Sequence, residues 1–146
     1  MSMLIQQALN LHEAHIQQWM PRVASYHRYW TRAEKKRVYA AIQERDAAFV
    51  KKYLDGVSNA RSQIENVTNC VIFLTYLSKA TYMFRNATFR NIVWNKMIEF
   101  EATAYQEVQR INALENREAY QSHIEMLDHW HDLLVTIWHV RDILRK

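Results

Sequence analysis

From Met1 to Lys146 the chain contains one glycine, Gly56, and one proline, Pro21. A chain of this length would ordinarily carry about 17 of the two together. Sheets need turn residues roughly every 8–12 positions, and βαβ units need glycine-rich connections, so both are excluded. What remains is an all-α fold, an elongated bundle of about five long helices with short connections, forming one domain over residues 1–146.

Helix ends follow from the few signals present. Thr31-Arg32-Ala33-Glu34 is a capping box, in which the Thr hydroxyl accepts from the Glu34 amide and the Glu34 carboxylate reaches back. Gly56 suits the left-handed residue that closes a helix, giving a helix over 32–55. Ser58 or Asn59 can cap a third helix, 58–85; the stretch Asn86 through Thr88 provides a cap for a fourth, 88–114, and Asn116 can cap a fifth, 117–145. In the first segment Ile5, Ala8, His12, Ile16, Trp19, Val23, Tyr26 and Trp30 keep one helical phase across Pro21. The first helix is therefore expected over 3–30, kinked near Pro21, with the true break at Thr31.

Apolar seams support this division and predict coiled-coil-like packing. Val67, Cys70, Leu74, Leu77, Thr81 and Phe84 mark the third helix, and Val93, Met97, Phe100, Ala104, Val108 and Ile111 the fourth. Ala119, His123, Met126, Trp130, Leu133, Ile137, Val140 and Leu144 mark the last. Val38, Ile42, Phe49 and Tyr53 form the stripe of the second helix. The third helix is apolar on most faces between Cys70 and Leu77, so it is expected at the centre.

That run is also the most apolar of the chain, and it is far shorter than the ~20 residues that span a bilayer. The first residues, MSMLIQQALNLHEAH, have neither the basic nor the long apolar region of a signal peptide. The expected location is the cytoplasm, which includes that of a host cell. The sequons at Asn66 and Asn86 carry no weight in that setting. A lone cysteine, Cys70, forms no internal disulfide, and no membrane partner is expected.

Catalytic chemistry finds little support. Di-metal carboxylate bundles need Glu-x-x-His pairs, and no Glu here has a His three residues later. His12 and His15, with His123, His129 and His131 beside Glu125, Asp128 and Asp132, would converge on zinc only if the first and last helices were neighbours. The plainer reading makes His12 and His123 seam residues and solvates the rest. Cys70 lies on an apolar stripe without a cation and reads as a packed thiol. No catalytic residue, metal or cofactor is expected, and the chain reads as a non-enzyme.

Charge is the stronger clue. Between Pro21 and Lys52 nine Lys or Arg face three acids, whereas between Met97 and Asp132 eight acids face two arginines. Antiparallel packing would let the two regions neutralise each other. Arg32, Lys35, Lys36 and Arg37 nevertheless crowd the start of a helix, where the macrodipole is positive and each exposed cation costs about 0.3–1 kcal/mol. Tyr26, Arg28 and Trp30 interleave aromatic planes with cations just before them. Trp94, off its helix's main stripe, is the expected exposed anchor, and Trp138 lies beside the last seam.

These features point to a protein–protein interaction module, an adaptor, inhibitor or small effector of bacterial or viral type. Its site would be Tyr26, Arg28, Trp30, Arg32, Lys35, Lys36, Arg37 and Trp94, taking a protein partner with an acidic surface. The alternative is nucleic-acid binding through the same segment, with bases stacked and phosphates paired. Against it, net charge is only +4 and no DNA- or RNA-binding signature is present. A homodimer through a wide apolar seam is compatible with the first reading. A metal site or pH sensing through the seven histidines ranks below both.

Overall fold

A computed structural model describes residues 3–18, 29–114 and 121–145 of the chain. Among the described residues it is an all-α bundle without strands. Its helices are α1 (Met3–Gln17), α2 (Arg32–Ser58), α3 (Gln63–Lys79), α4 (Ala87–Asn112) and α5 (Gln121–Arg145). A 3₁₀ helix, Thr81–Arg85, joins α3 to α4.

Local capping explains most of these limits. The capping box at α2 forms: the Glu34 amide donates to Thr31 Oγ1 at 3.2 Å, and the Thr31 amide donates to Glu34 Oε1 at 3.3 Å. Asn86 Oδ1 accepts from the Phe89 amide at 2.9 Å and opens α4. Asn66 donates to the Val57 carbonyl at 3.1 Å, so both sequon asparagines are engaged within the fold.

Three boundaries depart from expectation. The third helix does not run over 58–85. Ser62, not Ser58 or Asn59, supplies its cap, accepting from the Glu65 amide at 3.2 Å. At its other end α3 stops at Lys79, and the chain tightens into the 3₁₀ helix that carries Tyr82 and Phe84. Gly56 does not close α2, which continues to Ser58. Its role is close approach: a Cβ there would stand 2.8 Å from Asn69 Nδ2 on α3. The helix expected over 3–30 is described only to Gln17, and Pro21 and Asn116, with their proposed kink and cap, lie outside the described residues.

Cys70 through Leu77 are buried without interruption, and α3 packs against α1, α2 and α5. That is the central position its apolar run predicts. On the far side α4 packs against α5, closing the core with Val93, Met97, Phe100, Ala104 and Ile111 against Trp130, Leu133, Ile137, Val140 and Leu144. Leu74 is fully buried in the middle of this core, and its truncation to alanine would cost about 2–5 kcal/mol. No described helix is long and apolar enough to cross a membrane.

Candidate functional site

The first half of α2 is unusual for a helix in a bundle. From Arg32 to Arg45 no residue is buried; the buried residues of α2 are Asp46 and Val50. Good helix formers, among them Ala33, Ala40 and Ala41, favour the helix there, and Val38 and Ile42 are half-buried. Arg32, Lys36 and Arg37 are exposed, Lys35 and Trp30 are half-buried, and Tyr29 is 69% exposed. Among the described residues none of the four cations forms a salt bridge. The one acid beside them, Glu34, is spent on the cap. Hydrogen bonds from Thr31 hold its carboxyl below the usual value, and Arg37 adds to that effect. The basic cluster thus keeps its charge unneutralised at the positive end of a helix dipole.

Among the described residues the acidic region does not come over to cancel it. The main packing partner of α2 is α3, and α4 packs on α5. Glu101 instead pairs with Arg141 at 3.0 Å across α4 and α5, and Glu107 pairs with Arg110 at 2.9 Å on its own helix. Tyr26 and Arg28, assigned to the same surface from the sequence, lie outside the described residues.

Trp94 departs from its expected role as an exposed anchor. It is half-buried, packed against the core, with the Arg141 guanidinium 5.7 Å from its ring centroid. The stripe analysis placed it off the seam without allowing for α5, whose Arg141 covers the flank of α4. Among the described tryptophans Trp138 is the one that stands out, 47% exposed.

The second half of α2 holds a constellation that the sequence analysis missed. Asp46, 6% exposed, accepts hydrogen bonds from elements on three sides. His15 of α1 approaches Oδ1 through Nε2 at 3.0 Å, Tyr76 of α3 donates to the same oxygen, and Tyr82 of the 3₁₀ helix donates to Oδ2 at 2.5 Å. With a carboxylate as acceptor, Nε2 of His15 is the protonated nitrogen. Burial, and then the bonds to Asp46, push the Tyr76 and Tyr82 hydroxyls far above their ordinary range. Phe49 stacks on Tyr76, and His12 and His15 meet the Tyr76 ring edge-on. Both carboxylate oxygens are occupied, so the cluster is suited to holding α1, α2, α3 and the 3₁₀ helix together rather than to turning over a substrate.

Its signal was present in the sequence. Asp46 fills the gap in the stripe Val38, Ile42, Phe49, Tyr53, which marks a carboxylate directed inward. A polar residue on an apolar stripe demands partners, and nearby histidine and tyrosine are the donors that can supply them.

The remaining histidines do not assemble with these. α1 and α5 are neighbours, but α1 brings Gln6, Gln7 and Asn10 to the groove that holds His129, His131, Asp128 and Asp132. His12 and His15 face α2 and α3 instead. Among the described residues no three His, Cys, Asp or Glu side chains are arranged to hold a metal ion. Burial pushes the Cys70 thiol up to about 12, which keeps it protonated and unreactive.

No protein-family model matches this chain, and neither a curated protein nor a solved structure matches it.

Proposed function

We propose that the chain is a non-enzymatic protein–protein interaction module, an adaptor, inhibitor or small effector, that grips an acidic protein surface with the start of α2. The observation that carries this reading is a half-helix, 32–45, without a buried residue, whose cations have no salt bridge among the described residues. Arg32, Lys36 and Arg37 supply the charge, and Lys35 and Trp30 the flanking contacts, with Tyr26 and Arg28 next to them in the chain. Arginine and aromatic side chains are the usual energetic centres of interfaces, and a cationic patch speeds encounter with an acidic partner. Cations against a helix N-terminus reduce stability, so retaining them there makes sense where a partner's carboxylates neutralise them.

The test is affinity capture from nuclease-treated lysate, comparing the wild type with Arg32→Glu/Lys36→Glu. The expected result is a stoichiometric acidic protein, retained after nuclease, released at moderate salt and absent from the variant's eluate. Material lost on nuclease treatment would move the same surface to nucleic-acid binding. Equal capture by the variant would remove α2 from the interface.

A further inference from the structure

The basic start of α2 and the acidic part of α5 lie toward opposite ends of α3. Asp46 of α2 meets Tyr76 in the last turn of α3, and Gly56 lies against Asn69, so the two helices run antiparallel. α3 ends at Lys79, and residues 32–42 of α2 continue past that end by roughly 15 Å at ~1.5 Å per residue. This overhang carries Arg32, Lys35, Lys36 and Arg37, which form no salt bridge among the described residues.

A groove of about 990 Å³ opens at the other end, where α1 and α5 both pack on α3 but touch each other little. Leu4 and Ile64 give it apolar wall, and Glu125, Asp128 and Asp132 line its α5 side together with His129 and His131. Among the described residues no lysine or arginine lines it, and none of the three carboxylates has a salt bridge. Ile64 and Lys79 stand roughly 22 Å apart along α3, well beyond the ~8 Å over which charges act at physiological salt. A copy's own cations therefore leave its own groove unneutralised, and each end keeps its charge for another molecule. A groove between two helices, floored by a third, has the shape that receives a helix. The start of α2 is a helix of the opposite charge without a buried residue.

We propose that the chain associates head to tail, the start of α2 of one copy lying in the α1–α5 groove of the next. This docking rests on the reading of α2 as a binding surface and gives it an acidic counterpart within the same sequence. The four cations meet Glu125, Asp128 and Asp132, while Tyr29, 69% exposed, reaches Ile64, 48% exposed. Two different surfaces are joined, so every pair keeps one free overhang and one free groove, and copies add until a ring closes. The paired groups are largely exposed, so the association is weak and falls with salt.

Sedimentation velocity of the full chain at rising concentration is the test, with far-UV ellipticity reporting that each variant is folded. At about 20 mM salt the wild type should grow beyond dimers; at about 500 mM, where screening acts within a few ångström, it should stay monomeric. Arg32→Glu/Lys36→Glu and Glu125→Gln/Asp128→Asn, all at exposed positions, should each weaken association about tenfold or more. Mixing these two variants should restore one contact, the intact groove of the first with the intact α2 of the second, and stop at a 1:1 complex. Carbodiimide coupling of mixed ¹⁴N and ¹⁵N wild type should join Lys35 or Lys36 of one copy to Glu125, Asp128 or Asp132 of another. A wild type that stays monomeric at low salt, growth indifferent to either variant, variants that do not associate on mixing, or cross-links confined within single copies would overturn the assignment. A monomeric wild type that still captures an acidic protein through Arg32 and Lys36 would overturn the self-docking alone. Self-association and capture both indifferent to Arg32→Glu/Lys36→Glu would remove the reading of α2 as well.

Discussion

From Arg32 to Arg45, α2 buries no side chain and is held by a capping box and by residues that favour the helical backbone. From Asp46 onward the same helix is fastened to α1, α3 and the 3₁₀ helix through one carboxylate, and to the core through Val50. One continuous helix thus combines a half specified by tertiary contacts with a half specified by local chemistry. The contrast separates stability from recognition. Residues whose loss should unfold the bundle begin where the proposed binding residues end.

The sharpest way to break this division is Asp46→Ala. It leaves His15, Tyr76 and Tyr82 as buried or half-buried donors with no acceptor, and the expected loss is about 3–5 kcal/mol in urea denaturation. A loss below 1 kcal/mol would mean the cluster does not anchor the helix. At the other end, Thr31→Ala removes the cap, worth about 1 kcal/mol. Because no residue of 32–45 is fully buried, that loss should register as reduced helical ellipticity with little movement of the urea midpoint. A midpoint that falls with the ellipticity would show the two halves to be one cooperative unit.

Arg32→Glu/Lys36→Glu should leave stability unchanged or raise it by up to about 1 kcal/mol, since acids suit a helix N-terminus. A clear drop would make these cations structural and weaken the proposed interface. The smallest effect concerns pH. Burial lowers the His12 pKa below 6.5, against a partial upward pull from Asp46 and with Lys79 and His15 reinforcing the fall. The unfolded chain then binds a proton before the folded one does, so acidification below about pH 6.5 should erode stability. His12→Gln should flatten that slope in urea midpoints measured between pH 7.5 and 5.5. An identical slope in the variant would assign the effect to other groups.

Much of the bundle was legible because its signals are local or periodic. Thr31 with Glu34 and Asn86 mark helix starts through side-chain chemistry within one turn, and most seam positions of α4 and α5 are buried, although Val108, His123 and Met126 are half-buried and Leu134 and Thr136 are buried beside the α5 seam. The failures share a different cause. Gly56 looked like a terminator because the need for a small residue came from Asn69, on another helix and remote in sequence. Ser62 was passed over because Ser58 offered an earlier cap, and only the packing of α2 against α3 decides between them. Trp94 looked exposed because Arg141, which covers it, comes from α5. Asp46 could have been found, since it interrupts its own apolar stripe, but its partners belong to three other elements.

The Asp46 cluster also implies an order of assembly. Its acceptor comes from α2, and two of its donors come from the adjoining stretch of chain, Tyr76 on α3 and Tyr82 on the 3₁₀ helix. α1 contributes one hydrogen-bonding side chain, His15, to the cluster, and to the core Leu4 and Ala8 with Ile5 and Leu11 packed beside them. The segment from α2 through the 3₁₀ helix can therefore form its polar junction before α1 arrives, and detaching α1 breaks the His15–Asp46 contact, the ring contacts of His12 and His15 with Tyr76, and the packing of Leu4, Ile5, Ala8 and Leu11. In the native protein α1 is thereby an element that a sub-global opening can release, uncovering a face of the central helix while the polar junction of the other elements stays closed.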